Sequence, residues 1–261
     1  MRQAKRSLWC VHESSLRPVM KARMQRKVPT LEWRDGDLPF SAEFEDHYYS
    51  TSDGLAETRH VFLDGNDLSE RWRENAAFAV GELGFGTGLN LLALWHLWCR
   101  NRLEGQTLSF ISVEAHLMTQ EHAAKALARW PELAPLAKSL LDAWPDLGSK
   151  TIDLDPQTRL TVIRDDVFEA LDTFPANINA WFLDGFAPSR NGAMWSGEVM
   201  EKLAAHSAPG ATFASYTSAG WVRRNLEAAG FKVEKKPGFG TKRDMIAGRL
   251  LAPQAHASSA K

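Results

Sequence analysis

A glycine-rich turn is the segment of this sequence best suited to chemistry. An apolar run and Glu82 lead into it, and its glycines are Gly84, Gly86 and Gly88. A strand, a glycine turn and a helix together let the backbone approach a nucleotide-like cofactor closely. Leu89 stands where a dinucleotide-binding fingerprint requires glycine, and the Gly-Lys-Ser/Thr ending of a phosphate-binding loop is absent. The turn therefore predicts a nucleotide-like cofactor that carries no phosphates.

Acidic residues follow four predicted strands in chain order. They are Glu82, Glu114, the pair Asp165 and Asp166, and Asp184. Because ligands of open α/β sheets bind at the carboxyl ends of the strands, we expect these carboxylates to share one site. Glu114 lies near the spacing of about 20 residues at which a carboxylate binds ribose hydroxyls.

Different acids of this set are predicted to contact different parts of the cofactor. We assign Asp166, or Asp165 beside it, to an adenine amino group, and Glu82 to a cationic amino-acid end. Asn90, at the start of the helix, completes the predicted cofactor-binding set. S-adenosylmethionine has such a cationic end and no phosphates, whereas NAD and ATP fit the turn poorly.

The segment from Asp184 to Pro188 is the predicted chemistry loop. Transfer of a methyl group from a sulfonium to an amine needs a neutral nitrogen lone pair held about 3–3.5 Å from the methyl carbon. Asp184 is the predicted catalytic residue, either as proton acceptor or as an orienting group, with Glu57 or a water relay as the alternative acceptor. Phe186 and Pro188 offer apolar surface to a flat base.

Strands and helices alternate along the chain and must position these residues. Apolar runs predict strands at 78–82, 110–114, 160–163, 180–184, 211–216, 231–233 and 245–250, with helices between most of them. This order predicts a mostly parallel, doubly wound α/β sheet with an antiparallel hairpin at one edge. Asp35-Gly36 predicts a small N-terminal hairpin, and the segment 44–62 is a candidate lid or substrate wall that contains Tyr49 and Glu57.

Composition limits the classes of function. The chain has 261 residues and a net charge of -1, which suits one α/β domain and excludes a strongly basic field over the whole protein. We expect the domain at 28–251, with disordered tails at 1–27 and 252–261. The eight histidines are scattered, so we expect no metal site, and no apolar run is long enough to span a membrane. Two cysteines without a paired framework fit a reducing cytoplasm, and Cys99 is expected to be buried.

Several segments resemble the methyltransferase domain of the MnmC family, whose bifunctional members build 5-methylaminomethyl-2-thiouridine at the wobble position of tRNA. The most specific are Gly-Leu-Ala-Glu-Thr-Arg at 54–59 and Asp-Gly-Phe-Ala-Pro at 184–188. Others lie at 44–50, 61–66, 82–90, 130–135, 181–183, 194–195, 217–220 and 238–243. The resemblance runs from about 30 to 250. It implies a class I S-adenosylmethionine-dependent, Rossmann-like fold with a seven-stranded sheet, and methylation of the 5-aminomethyl nitrogen of wobble uridine.

A local excess of positive charge supports a tRNA partner. The stretch 221–250 holds eight basic residues against three acids: Arg223, Arg224, Lys232, Lys235, Lys236, Lys242, Arg243 and Arg249. Such a surplus can bind the backbone of an anticodon stem, and Lys242 and Arg243 are the predicted contacts. The alternative is a solvated helix-and-hairpin face.

The FAD-dependent oxidase half of the bifunctional family falls outside these 261 residues. We therefore expect another protein, a separate oxidase, or another precursor route to supply the free amine. Three alternatives remain open: methylation of a small-molecule or protein amine by the same fold, a non-catalytic cofactor-binding partner of a tRNA-modifying oxidase, and a nucleotide-binding oxidoreductase.

Overall fold

The structure, a computed structural model, describes residues 29–34 and 36–252. A small antiparallel sheet comes first, with strands β1 (Leu31–Arg34), β2 (Leu38–Ser41) and β3 (Asp46–His47). Pairing of β1 with β2 confirms the predicted N-terminal hairpin. Asp35 in its turn lies outside the described residues, as do the predicted tails at 1–27 and, apart from residue 252, at 252–261.

The central sheet has eight strands, one more than predicted. They are β4 (Ala77–Leu83), β5 (Thr107–Val113), β6 (Ile152–Asp155), β7 (Thr158–Ile163), β8 (Ile178–Leu183), β9 (Ser207–Ser215), β10 (Phe231–Pro237) and β11 (Asp244–Leu250). Their order is β10-β11-β9-β8-β4-β5-β7-β6. The block from β9 to β7 is parallel, while β11, β10 and β6 are antiparallel additions at the edges. The prediction of a mostly parallel α/β sheet with an edge hairpin is confirmed.

Helices cover both faces of the sheet. They are α1 (Gly54–Thr58), which continues into a π-helix (Arg59–Asp64), α2 (Leu68–Arg71), α3 (Leu89–Asn101), α4 (Gln120–Leu127), α5 (Ala134–Ala143), α6 (Val167–Ala170), α7 (Gly197–His206) and α8 (Gly220–Ala228). The Thr119 hydroxyl caps α4 by accepting from the backbone N–H of His122 at 3.2 Å. A short 3₁₀ turn at Pro131–Leu133 separates α4 from α5.

Side chains alternate between the two faces of each central strand. In β8, Ala180 and Phe182 pack toward the helices α3, α4 and α5, whereas Trp181 and Leu183 pack toward α7 and α8. A Cβ atom at Gly81 would lie 2.4 Å from the Trp181 ring, so glycine makes room for this indole between neighbouring strands. Both faces are therefore apolar, as in parallel sheets that are covered on both sides.

The topology places the ends of β4 and β8 at the centre of the sheet. Strand β4 lies between β5, which follows it in the chain, and β8, which comes later. The strand order therefore reverses at β4, and such a reversal is the switch point at which α/β sheets bind ligands. Cys99, expected to be buried, is exposed near the end of α3, so that expectation is wrong. No helix in the described ranges is long and apolar enough to cross a membrane.

Candidate active site

A cavity of about 360 Å³ opens at the carboxyl ends of the central strands. Its volume lies within the range of about 300–1,000 Å³ that is typical of small-molecule sites. Ten of the predicted site residues line it: Tyr49, Glu57, Gly84, Gly86, Asn90, Glu114, Asp166, Asp184, Phe186 and Lys242. The structure therefore brings most of the predicted cofactor and acceptor residues into one space.

Four predicted site residues do not line this cavity. Glu82 is fully buried beneath it, and Pro188 is buried in the loop after β8. Gly88 forms the N-cap of α3 with φ +79°. Arg243 is exposed beside Lys242.

The glycine turn passes very close to the loop after β8. At Gly84 the backbone has φ +96°, and an added Cβ would lie 2.3 Å from the carbonyl oxygen of Asp184. The N–H of Gly84 also donates to the carbonyl of Val113 at 2.9 Å, which ties the end of β4 to β5. Glycine is needed here for both conformation and space, and its lack of a side chain makes room for the loop that carries Asp184.

Glu114 connects the glycine turn to the loop after β5. One carboxylate oxygen accepts from the N–H of Gly86 at 2.9 Å, and the other accepts from the N–H of His116 at 2.7 Å. A carboxylate has about four acceptor sites, so two remain available to ribose hydroxyls. Asp166 lines the cavity nearby, where its side chain also caps α6 by accepting from the N–H of Phe168 at 2.9 Å.

Asn90 joins two carboxyl groups. Its amide Nδ2 donates to Glu82 Oε1 at 2.9 Å and to Asp184 Oδ2 at 2.6 Å. Its carbonyl oxygen accepts from the Thr58 hydroxyl at 2.8 Å. Both amide hydrogens and the oxygen are therefore engaged, and they fix the Asp184 carboxylate at the cavity wall.

The electrostatics of this cluster favour protonated carboxyl groups. Burial raises the pKa of Asp184 to about 7, an effect opposed by the hydrogen bond from Asn90. Among the nearby charges, Glu57 raises and Lys242 lowers this pKa. Burial also raises the pKa of Glu82 to about 8. Such perturbed carboxyl groups at a cavity are typical of functional sites.

Aromatic rings form one wall of the cavity. Phe186 stacks on Phe44 with ring centroids 4.5 Å apart and planes 17° apart, and Tyr48 meets Phe186 edge-on at 5.3 Å. Asp46 holds the loop in place by accepting from the N–H of Ala187 at 2.9 Å. The predicted substrate residue Tyr49, in contrast, is largely buried and packs edge-on against Trp130. The ring that contacts Phe186 belongs to its neighbour Tyr48.

An ion pair lies at the mouth of the cavity. Lys242 Nζ is 2.8 Å from Glu57 Oε1 and 4.1 Å from the centre of the Tyr216 ring. The Tyr216 hydroxyl donates to the carbonyl of Gly185 at 2.5 Å. Tyr216 was not predicted, because only acidic residues were selected at the ends of the strands. Selecting every polar side chain at a strand end would have included Tyr216, which follows β9 directly.

The predicted basic stretch is not a row of free cations. Lys235 pairs with Asp244, Lys232 with Glu234 and Arg223 with Glu227, at 2.9, 2.7 and 3.7 Å. Arg243, at the tip of the hairpin formed by β10 and β11, makes no ion pair with any residue that the structure describes. The described residues also contain no cluster of three or more groups that could hold a metal ion.

Comparison with known proteins identifies the family. Residues 131–250 match the family model described as S-adenosyl-L-methionine-dependent methyltransferase. The tRNA 5-methylaminomethyl-2-thiouridine biosynthesis bifunctional protein MnmC of Caulobacter vibrioides is 50% identical over 221 residues, which are 83% of this chain and 37% of that protein. The chain belongs to the S-adenosyl-L-methionine-dependent methyltransferases. It matches the methyltransferase part of MnmC, as the resemblance predicts.

Other relatives of this methyltransferase agree. MnmC of Chromohalobacter salexigens is 44% identical over 233 residues, or 86% of this chain and 33% of that protein. The chain thus spans about a third of the length of these relatives. The crystal structure of MNMC2 from Aquifex aeolicus superposes with a TM-score of 0.69 at 22% identity, covering 87% of this chain and 72% of that one, and shows the same fold.

The cavity of this methyltransferase fits S-adenosylmethionine, which the family uses as cofactor. Gly84 and Gly86 line the cavity without side chains, which suits a close approach of their backbone to the cofactor, and Glu114 has free acceptor sites beside them. These residues and Asp166 would hold the nucleoside part. The chain is therefore a methyltransferase, and the cavity at the switch point of its sheet is its candidate methyl donor site.

Proposed function

We propose that this methyltransferase methylates the 5-aminomethyl nitrogen of wobble uridine in tRNA, giving 5-methylaminomethyl(-2-thio)uridine. The observation that carries the proposal is the position of Asp184, which lines the same cavity as the glycine turn and the aromatic Phe186. The relatives named for this tRNA modification support the choice of acceptor.

Methyl transfer to an amine does not require the protein to form a covalent bond with either reactant. When bound, the cofactor supplies a methyl group on a positively charged sulfur. The amine nitrogen forms the new bond to the methyl carbon while the carbon–sulfur bond breaks and its electron pair stays on sulfur. One proton leaves the nitrogen, and Asp184 is the group placed to accept it. Because a simple alkylamine is mostly protonated at pH 7, an acceptor of this kind is needed to favour the neutral nitrogen.

The aromatic wall suits a single base turned out of an anticodon loop. Unstacked bases of single-stranded RNA are commonly bound by stacking on aromatic side chains. Phe44 and Phe186 already form a flat apolar surface beside Asp184. Lys242 and Arg243 at the hairpin tip would contact the phosphate backbone around that loop.

The acceptor must carry a free amine before this reaction. We propose that an FAD-dependent oxidase, or another route that leaves a 5-aminomethyl group, supplies it. A tRNA substrate with this partner implies that the protein works in the cytoplasm.

The test is methyl transfer to a defined tRNA. Purified protein, methyl-labelled S-adenosylmethionine and tRNA that carries 5-aminomethyluridine should give labelled 5-methylaminomethyluridine on nucleoside analysis. The same tRNA with unmodified wobble uridine is the matched control and should stay unlabelled. Label that appears in small amines or protein amines, with none in the modified tRNA, would contradict the proposed acceptor.

A further inference from the structure

Glu82 is a buried acid that does not reach the cavity. It lies at the end of β4, and its side chain is 0% exposed. Its Oε1 accepts from Asn90 Nδ2 at 2.9 Å, and its Oε2 lies 2.6 Å from the Ser112 hydroxyl. A hydroxyl can donate or accept, so this second contact suits either protonation state of Glu82.

The Asn90 amide links Glu82 to the catalytic candidate. Its remaining hydrogen is donated to Asp184 Oδ2 at 2.6 Å, and the Thr58 hydroxyl donates to its carbonyl oxygen at 2.8 Å. An amide with all of these partners has one orientation. Because the oxygen is held by Thr58, the nitrogen has to face both carboxyl groups.

The charges around Glu82 and Asp184 disfavour ionisation of both carboxyl groups at the same time. Asp184 and Glu114 face Glu82, while Glu57, Asp46 and Lys242 face Asp184, with the Tyr216 hydroxyl close by. Lys242 is the single cation in this group, and it is already paired with Glu57. Burial without a cation disfavours the ionised form, and the more deeply buried acid holds its proton to higher pH. Burial raises the pKa of both Glu82 and Asp184, in agreement with this argument.

We propose that Glu82 is a positioning residue that, as a neutral carboxylic acid, anchors Asn90, which in turn aims the Asp184 carboxylate at the acceptor nitrogen. This differs from the sequence-based assignment of Glu82 to the cationic end of the cofactor. The identity of the acceptor rests on the proposed function, whereas the link from Glu82 to Asp184 does not.

Two neutral replacements separate anchoring from cofactor binding. Glu82→Leu removes the acceptor for the Asn90 amide, so kcat should fall by about tenfold or more while the Kd for S-adenosylmethionine changes by less than about threefold. Glu82→Gln restores an acceptor oxygen and should recover most of the lost kcat. Calorimetric titration gives the Kd, and thermal unfolding shows that both variants are folded. A Kd raised tenfold in both variants would overturn the proposal, as would equal kcat in the two.

Ser112→Ala is the matched structural control. It removes the other hydrogen bond of Glu82, on the side away from Asn90, so it should lower stability without the kcat loss of Glu82→Leu. If Ser112→Ala and Glu82→Leu lose the same kcat in proportion to stability, Glu82 acts only in folding and the proposal fails.

A readout without tRNA separates this inference from the proposed function. In protein with ¹³C-labelled aspartate carboxyl groups, the Asp184 resonance, assigned with Asp184→Asn, should show a second inflection when Glu82 ionises. Glu82→Gln should abolish that inflection, and Asn90→Ala should raise the midpoint of Asp184. An Asp184 titration that is the same in all of these proteins would overturn the inference. Absence of methyl transfer to tRNA, with the NMR result as expected, would overturn the proposed function alone.

Discussion

At the scale of single residues, the position of Asp184 predicts how activity depends on pH. A proton acceptor must be ionised to work, and burial raises the pKa of Asp184 to about 7. With saturating cofactor, kcat/KM should therefore rise as pH increases through about 7. Asp184→Asn should remove this rising limb and lower kcat by about 10²–10⁴-fold while cofactor binding persists.

The contradicting outcomes are specific. If Asp184→Asn keeps the rising limb, the proton acceptor is another group, and Glu57 is the first to test. Glu57→Gln also removes the partner of Lys242, so a loss confined to KM for tRNA would indicate a binding role for that pair.

Glu82 predicts an effect on stability that is independent of catalysis. Its pKa is raised from 4.5 to about 8 on folding, so the folded state holds a proton that the unfolded chain releases between these values. Stability from this group is complete below pH 4.5 and is lost as pH rises toward 8, by at most about 1.4 kcal/mol per pH unit. Glu82→Gln should flatten this decline in urea unfolding from pH 5 to 8. A slope equal to that of the wild type would mean that Glu82 is ionised in the folded protein.

The sequence predicted that the acids lie at one edge of the sheet, but it did not predict how deeply each of them is buried. Glu114 and Asp184 reach the cavity because the strands before them end at the same edge. Glu82 follows the same rule along the chain, yet it is fully buried. The direction of its side chain depends on the hydroxyl of Ser112 and on the amide of Asn90 from α3. These are contacts between different elements, which spacing along one segment does not reveal.

At the scale of elements, the turn from β4 to α3 was predictable because glycine spacing and apolar runs are local signals. Strand β6 was not, because its sequence Ile-Asp-Leu-Asp is short and half acidic. It forms as an antiparallel edge against β7, and Asp155 is held there by Arg102 at 2.7 Å. The bond that stabilises the strand thus comes from a residue far away in the sequence.

The close approach at Gly84 gives a prediction with an internal control. Gly84 and Gly105 both have positive φ, at +96° and +80°, but a Cβ at Gly84 would lie 2.3 Å from a backbone oxygen whereas nothing lies within 4 Å at Gly105. Gly105→Ala should lose only the conformational term, about 1–2 kcal/mol. Gly84→Ala adds a steric clash and should lose about 2–5 kcal/mol in urea unfolding.

Cofactor binding distinguishes the two variants further. Gly84→Ala displaces the loop that carries Asp184, so its affinity for S-adenosylmethionine should fall, whereas Gly105→Ala should bind as the wild type does. Equal losses of stability and unchanged binding in both variants would show that the turn has more room than the structure indicates.

At the scale of the whole molecule, a net charge of -1 means that tRNA binding depends on where the cations lie. The hairpin of β10 and β11 has Lys242 and Arg243 at its tip, next to the cavity, and Lys232 and Arg249 as a cross-strand pair near its other end. Strands of seven residues separate the two ends by roughly 20 Å. The sequence predicted a basic stretch, but the ion pairs within it depend on the register of the strands.

Arg243 is the cation best placed to test this arrangement, because it is exposed, forms no ion pair with the described residues and follows Lys242, which lines the cavity. Each phosphate contact contributes about 0.7–0.9 to the slope of log affinity against log salt. Arg243→Glu should therefore weaken tRNA binding at least about threefold and lower that slope by about 1, measured by fluorescence anisotropy at 50–200 mM salt. Lys232→Glu makes the same charge change at the far end of the same hairpin and should have a much smaller effect. Equal losses in the two variants would mean that tRNA responds to the net charge of the hairpin rather than to its tip. Unchanged binding in both would remove the hairpin from the tRNA interface.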